Sequence, residues 1–140
     1  MAARSRRYAP AMALLRRHGL RPTRQRLLLA RLLFETGEQP RHVTAEMLQE
    51  EVRSAGASIA LATIYNTLHQ LVTVGLLAEI VGPDGITWYD TDPHPHHHFF
   101  DPREGCLINI ADSDVALARL PSPPDGRRIA RCRLMIELEA

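Results

Sequence analysis

The chain has 140 residues, the size of one ordinary domain or of two small ones, so a large multidomain enzyme is excluded. Its net charge of +1 hides an uneven distribution: residues 1–34 contain nine arginines and no acidic residue, whereas residues 35–140 contain eight arginines against sixteen acidic residues. No apolar run approaches the roughly 20 residues of a membrane span, and the arginine-rich N-terminus lacks the apolar segment of a secretory signal. We therefore expect a cytoplasmic protein with no membrane partner.

The first half of the chain has helical periodicity interrupted by turn signals. A short amphipathic helix is predicted over residues 11–18, and a second helix begins after an N-cap at Thr23 and ends near Thr36. Thr44 is the predicted N-cap of a third helix. The apolar residues of this third helix recur on one face, at Ala45, Leu48 and Val52.

A fourth helical segment is the best defined, and it ends at Gly75. Its apolar residues follow the 3.6-residue period, at Leu61, Ile64, Tyr65, Leu68, Leu71 and Val72. Two short apolar segments follow, residues 76–81 and 86–89, and the turn sequence Gly82-Pro-Asp-Gly85 between them predicts a β-hairpin. Helices followed by a hairpin are typical of a winged helix-turn-helix, to which we assign residues 1–91.

The sequence Asp92-Pro-His-Pro95 cannot continue a helix or a central strand, because proline lacks an N–H and restricts the residue before it. We predict a hinge over residues 92–95 and a second, small α/β domain over residues 96–140, so that the fold class of the whole chain is α+β. Its predicted elements are strands at 98–100 and 107–110, a short helix at 112–120 and a last strand at 129–138. Because so few residues can bury only a small apolar core, we expect this domain to be completed by homodimerisation through its sheet.

The N-terminal arginines favour contacts with phosphate groups, which supply most of the sequence-independent affinity for DNA. In a helix-turn-helix, the N-terminal residues of the recognition helix meet base edges in the major groove. Tyr65 can touch a thymine methyl group, although its place on the apolar face equally suits a core role. The predicted DNA-binding residues are Arg21, Arg24, Ser58, Thr63, Tyr65 and Asn66.

Four of the seven histidines lie in the run His94-Pro-His96-His97-His98. In an extended segment alternate residues point to the same side, so His96 and His98 project together and His97 projects to the other face. Neutral imidazole suits zinc, iron, manganese or haem iron, and a carboxylate biases a site toward harder divalent ions. Asp90 and His42 are candidates to complete a metal site between the two domains, although His42 taken by itself is better explained as an ordinary loop residue.

An enzyme remains an alternative on the residues alone, because two histidines and a carboxylate also form the site of mononuclear metal hydrolases and oxygenases. No nucleophile motif or catalytic base accompanies the histidines, and this argues against an enzyme.

The chain resembles the ferric uptake regulator family from Leu14 to about Leu138. The matching stretches are Gly19-Leu-Arg-Pro-Thr-Arg-Gln-Arg26, His42-Val-Thr-Ala-Glu46, Ala60-Leu-Ala-Thr-Ile-Tyr-Asn-Thr-Leu68, Gly75-Leu-Leu77, Tyr89-Asp90 and His96-His-His-Phe-Phe100. The resemblance implies a dimer that couples metal occupancy to operator binding. It also implies that His42, Asp90, His96 and His98 are the regulatory metal ligands, that Tyr65 contacts a base and that Arg21 reaches the minor groove. Asn66 stands where many members have arginine.

The departures from the family pattern concern cysteine. Where many members have CxxCG, this chain has Asp101-Pro-Arg-Glu-Gly105, and its two cysteines, Cys106 and Cys132, cannot form a structural Cys₄ zinc site. This absence and the histidine run resemble the iron response regulator branch of the family, which implies haem as a ligand of His96, His97 and His98. Two hypotheses follow: a regulator of iron and haem-synthesis genes that senses haem, metal or both, and a co-repressor that depends on iron, manganese or zinc without sensing haem.

Overall fold

A computed structural model of the chain describes residues 2–140. The chain divides into two compact units. The first contains the residues up to Val81 together with Ile86–Pro93, and the second contains Gly82–Gly85 together with His94–Ala140. Among the described residues, no helix is long and apolar enough to cross a lipid bilayer.

Four α-helices form the first unit: α1 (Ala2–Arg17), α2 (Arg24–Phe34), α3 (Ala45–Ser54) and α4 (Leu61–Thr73). The predicted N-caps are confirmed, since the Thr23 hydroxyl accepts from the Arg26 N–H and the Thr44 hydroxyl accepts from the Met47 N–H. The prediction that α1 begins near residue 11 is wrong, because the helix starts at Ala2 and continues through Pro10. Alanine and arginine, which dominate its first two turns, favour helix and offset the hydrogen bond that Pro10 cannot make.

The helices are followed by the predicted hairpin, β2 (Ala78–Val81) and β3 (Thr87–Asp90). A third strand was not predicted: β1, the two residues His42–Val43, pairs antiparallel with β3 and gives the sheet order β1-β3-β2. Two residues are too few to show the alternation by which a strand is recognised in sequence. The strand pairing matters for function because it sets His42 directly opposite Asp90.

The core of the first unit is drawn from all four helices. The predicted inner face of α3 is fully buried, as are leucines of the other three helices. Gly19 and Gly75 end α1 and α4 with positive φ angles of 73° and 82°, a conformation that glycine adopts without strain. The completely buried members of this core are Leu15, Leu29, Leu33, Val43, Ala45, Leu48, Val52, Ile64 and Leu68.

The second unit contains a three-stranded sheet of order β5-β4-β6, made of β4 (His97–Asp101), β5 (Cys106–Ile110) and β6 (Met135–Glu137). Strand β4 is antiparallel to β5 and parallel to β6. The two predicted strands at 98–100 and 107–110 are therefore confirmed, with slightly wider bounds.

Two predictions for the second unit are wrong. The helix expected over residues 112–120 is a single 3₁₀ turn, Asp112–Asp114, and the last strand covers Met135–Glu137 rather than residues 129–138. The second unit as described therefore contains no α-helix. The apolar residues of this stretch are exposed, with Leu117, Leu120 and Ile129 each 46–48% accessible, so the single chain offers no surface against which an amphipathic helix or a longer strand is stabilised.

Candidate metal-binding and DNA-binding residues

In the first unit, His42 and Asp90 form a close pair. Strand pairing places the two residues opposite each other, and His42 Nε2 lies 2.9 Å from Asp90 Oδ2. The Asp90 side chain is fully buried, and its other oxygen, Oδ1, accepts a 2.8 Å hydrogen bond from the Asp92 N–H. A buried carboxylate is stable only when hydrogen bonds or charges compensate its lost hydration. Asp90 is therefore held as an oriented acceptor beside an imidazole.

Hydrogen bonds continue one residue beyond His42 and Asp90, between Arg41 and Thr91 at the end of β3. The Arg41 N–H donates to the Thr91 hydroxyl over 2.8 Å, and the Thr91 N–H donates to the Arg41 carbonyl over 3.0 Å. The Arg41 guanidinium in turn binds Glu51 on α3. These contacts hold the residue before His42 and the residue after Asp90 within the first unit.

In the second unit, His96 and His98 lie on the same side of the chain, as alternation predicts. Their ring centroids are 4.3 Å apart, His98 is 2% accessible and His96 is partly buried. The His96 ring is oriented by two contacts, from Nδ1 to the His94 carbonyl at 2.6 Å and from Nε2 to Asn109 Oδ1 at 2.9 Å. Asn109 was not predicted as a site residue, because no motif links it to a histidine 13 positions earlier.

His97 is in a different environment from its neighbours. Its Nδ1 accepts a 2.8 Å hydrogen bond from the Leu134 N–H, so that the ring links β4 to the segment leading into β6. A neutral imidazole that accepts at Nδ1 carries its proton on Nε2. Binding of a metal or haem iron by His97 therefore requires either the loss of that proton or the loss of the Leu134 contact.

The other histidines and the cysteines do not join these pairs. His18 Nδ1 lies 2.9 Å from the Leu14 carbonyl one helical turn earlier, a structural contact, and His69 is exposed on α4. Cys106 lies in β5, and burial raises the pKa of its thiol, with the charges of Asp101 and Glu104 adding to the effect. A thiol with a raised pKa is a poor source of the thiolate that metals bind.

The predicted DNA-binding residues all belong to the first unit. Arg21, Arg24, Ser58 and Asn66 are exposed, and Thr63 is partly buried near the start of α4. A groove of about 1180 Å³ runs along α1, the N-terminus of α2 and the segment between α3 and α4, and Arg24 and Ser58 both line it. The structure thus gathers Arg24 and Ser58 on one surface of the first unit.

Tyr65 is not a core residue, so the core alternative is wrong. Its side chain is 39% accessible, and its hydroxyl donates a 2.9 Å hydrogen bond to Glu46 Oε1 on α3. This hydrogen bond, together with burial and the negative charge of Glu46, raises the pKa of Tyr65. Sequence reasoning missed Glu46: it lies in a stretch that matches the family, but a contact 19 residues away leaves no local signal.

Comparison with known proteins identifies relatives over most of the chain. The model of the ferric uptake regulator family matches residues 17–135. The ferric uptake regulation protein of Rhizobium leguminosarum is 30% identical over 118 residues, which cover 83% of this chain and 81% of that protein. The peroxide-responsive repressor PerR of Staphylococcus epidermidis is 28% identical over 100 residues, which cover 71% of this chain and 65% of that protein.

A solved structure agrees with the fold. The ferric uptake regulator of Pseudomonas aeruginosa, determined with manganese, superposes with a TM-score of 0.70 over 93% of this chain and 97% of that one, at 23% sequence identity. On the family match and the relative from Rhizobium leguminosarum, this chain belongs to the ferric uptake regulator family, whose members are dimeric, metal-responsive, DNA-binding regulators of transcription rather than enzymes.

Proposed function

We propose that this chain is a transcription regulator in which His42, Asp90, His96 and His98 together bind one divalent metal ion and thereby control DNA binding. The observation that carries the proposal is the pairing of these residues, His42 with a buried Asp90 at 2.9 Å and His96 with His98 at a ring separation of 4.3 Å. Each pair brings two good ligands together, and each belongs to a different unit of the chain.

Chemistry and chain length both support a joint site. Three imidazole nitrogens and one carboxylate oxygen suit iron, manganese or zinc. Asp90 and His96 are six residues apart in sequence, so at roughly 3.3–3.6 Å per residue their Cα atoms are at most about 22 Å apart. When bound, the metal ion supplies a bridge between the domain of residues 1–91 and the domain of residues 96–140, across the proposed hinge at residues 92–95.

Control of DNA binding follows from the symmetry of a dimer. Two recognition helices bind half-sites of a palindromic operator only when their separation matches the helical repeat of DNA. A ligand that fixes the angle between the domains changes this separation, and it changes DNA affinity by as much as it distinguishes the two arrangements. The residues proposed to contact DNA are Arg21, Arg24, Ser58, Thr63, Tyr65 and Asn66.

The test measures metal binding and DNA binding on the same protein. Duplexes selected from a random pool by the untagged full-length chain are titrated with and without Mn²⁺, Fe²⁺ or Zn²⁺. We expect one ion per chain and a change in DNA affinity of roughly tenfold or more, within the usual range of coupling free energies. His42→Ala and His98→Ala should each abolish both effects.

His18→Ala is the matched control, because the side-chain hydrogen bond of His18 goes to the Leu14 carbonyl in the preceding turn of α1, and the change should leave metal and DNA binding unchanged. Retention of the wild-type metal stoichiometry by both His42→Ala and His98→Ala would contradict the proposed site. Selection of no duplex under any condition would contradict DNA binding itself.

The second candidate function is haem sensing, with control of iron and haem-synthesis genes, as the resemblance to the iron response regulator branch implies. Three consecutive histidines, His96 to His98, favour it, and His97 is partly accessible. Haem ligation by His97 through Nδ1 would displace its contact with the Leu134 N–H and so loosen the start of β6.

A haem titration separates the two candidates. Stoichiometric haem binding with a shifted Soret band, lost in His97→Ala and accompanied by a change in DNA affinity, would support haem sensing. Binding of Mn²⁺ that His97→Ala leaves intact, with no saturable haem spectrum, would instead support the divalent-metal co-repressor.

A further inference from the structure

The hydroxyl of Tyr65 is hydrogen-bonded to Glu46, an exposed residue of α3. Glu46 lies in the first turn of α3, and its Oε1 accepts the Tyr65 hydroxyl proton over 2.9 Å. Tyr65 lies one turn into α4 and is 39% accessible. The contact therefore joins the two helices of the helix-turn-helix at their exposed surface.

The N-terminus of α3 is stabilised by interactions other than this contact. Thr44 caps α3 through the Met47 N–H, and a glutamate in the first turn of a helix is favoured by the helix dipole whether or not it contacts a tyrosine. The orientation of Tyr65 depends on this contact. An exposed tyrosine can occupy several staggered rotamers about χ1, whereas a hydrogen bond at the far end of the ring selects the one that reaches Glu46.

A carboxylate on this surface also has a cost for DNA binding. The first unit presents exposed arginines at positions 21 and 24, which attract phosphate groups, and the charge of Glu46 opposes them. Selectivity depends on the difference between the affinities for correct and incorrect sequences, so a residue can lower general affinity for DNA and still raise selectivity.

We propose that Glu46 is a positioning residue for base recognition, which holds the Tyr65 ring in the orientation that meets a thymine methyl group in the major groove. This inference rests on the proposed DNA-binding function and adds the residue that gives it selectivity. Fixing the ring before binding removes the entropy cost of ordering it on the DNA, so that the methyl contact contributes fully to affinity.

The test is a thymine-to-uracil scan, which removes single methyl groups from the DNA. Duplexes selected by the full-length wild-type chain with Mn²⁺ are substituted at each thymine, and the ratio of affinities for the thymine and uracil forms is measured. We expect one or two positions with a ratio of roughly three to ten, and a ratio near one at these positions in Glu46→Ala, which loses the equivalent of one hydrogen bond.

Four variants separate positioning from charge. Glu46→Gln keeps an oxygen that accepts from Tyr65 and should keep the ratio, whereas Tyr65→Phe lacks the hydroxyl and should lower it as much as Glu46→Ala does. The double variant Glu46→Ala/Tyr65→Phe should show no further loss. Glu50→Ala removes the same charge from α3 at a residue that binds Arg53 instead, and should keep the ratio.

Each result decides between named alternatives. An unchanged ratio in Glu46→Ala, or an equal loss in Glu46→Ala and Glu50→Ala, would overturn the proposal for Glu46 while DNA binding stands. A wild-type chain that selects no duplex, or whose methyl preference survives Tyr65→Ala, would overturn the proposed recognition by Tyr65 and the role of Glu46 with it. Thermal unfolding of every variant shows whether a loss of binding reflects a loss of folded protein.

Discussion

The two units of this protein bury very different amounts of apolar surface. The first has a core that draws on all four helices, and nine of its apolar residues are completely inaccessible. In the second, the buried apolar residues are Phe100, Leu107 and Ile110, while Ile108, Leu117, Leu120 and Ile129 are 43–48% accessible. A unit that exposes so many large apolar side chains relies on a partner surface, which agrees with the dimeric state of the family.

Substitution in the first core should give the largest effect on folding. Leu68 in α4 is completely buried, so Leu68→Ala should lower the free energy of unfolding by about 2–5 kcal/mol through lost burial and the cavity left behind. Denaturant unfolding of the full chain measures the loss. Leu117→Ala, at an accessible position of the second unit, is the matched control, and a comparable loss there at low protein concentration would remove the contrast between the units.

A substitution on the sheet of the second unit should weaken association of the dimer and leave the fold of the single chain intact. Ile108 is 43% accessible on β5, an edge strand of the sheet, and Ile108→Glu places a charge where we expect apolar contact with the partner. We expect the dimer dissociation constant to rise at least tenfold in sedimentation experiments. Ser113→Glu, in the exposed 3₁₀ turn, should leave it unchanged, and equal effects of the two variants would argue against an interface at β5.

The difference in charge between the N-terminal segment and the remainder predicts how salt affects DNA binding. Affinity for DNA falls as salt concentration rises, and each phosphate contact makes the slope of log affinity against log salt concentration steeper by about 0.9. Arg24→Ala should therefore make this slope shallower by roughly one per chain. Arg119→Ala, in the second unit, should leave the slope unchanged. Fluorescence anisotropy between about 50 and 200 mM salt measures both. Equal slopes for Arg24→Ala and the wild type would remove Arg24 from the interface.

An effect confined to high pH concerns Tyr89, a buried residue of β3. Burial, followed by the charge of Glu79, raises the pKa of Tyr89 to about 12 from an ordinary value of 10.0. The folded chain then holds this proton more tightly than the unfolded chain does, so the contribution to stability is complete below pH 10 and is lost between pH 10 and about 12. Tyr89→Phe should flatten this part of the stability profile, and an unchanged profile would show that Tyr89 is not its source.

Periodicity and capping predicted the first unit well because its helices bury their apolar faces within the same chain. The caps at Thr23 and Thr44 and the inner face of α3 follow from local sequence and are found in the structure. Residues 112–134 were predicted less well, since their apolar pattern is the same whether it is covered by this chain or by a partner.

The contacts of the site residues also divide into those that local sequence predicts and those that only the assembled fold reveals. Alternation along one strand was enough to predict that His96 and His98 lie together. The contacts of Tyr65 with Glu46 and of His96 with Asn109 join different elements, and only the assembled fold reveals them. The same holds for the strand partner of His42, because β1 is too short to be recognised in the sequence.

The pairing of β1 with β3 also makes one half of the proposed site depend on tertiary structure. His96 and His98 are neighbours as soon as their own segment is extended, whereas His42 and Asp90 are 48 residues apart in sequence and meet only when β1 docks on the finished hairpin. The two-histidine pair therefore needs only an extended segment, whereas the pair of His42 and Asp90 exists only in the folded first unit. Under the proposed function, tight metal binding would then be a property that the chain acquires only on completing its fold.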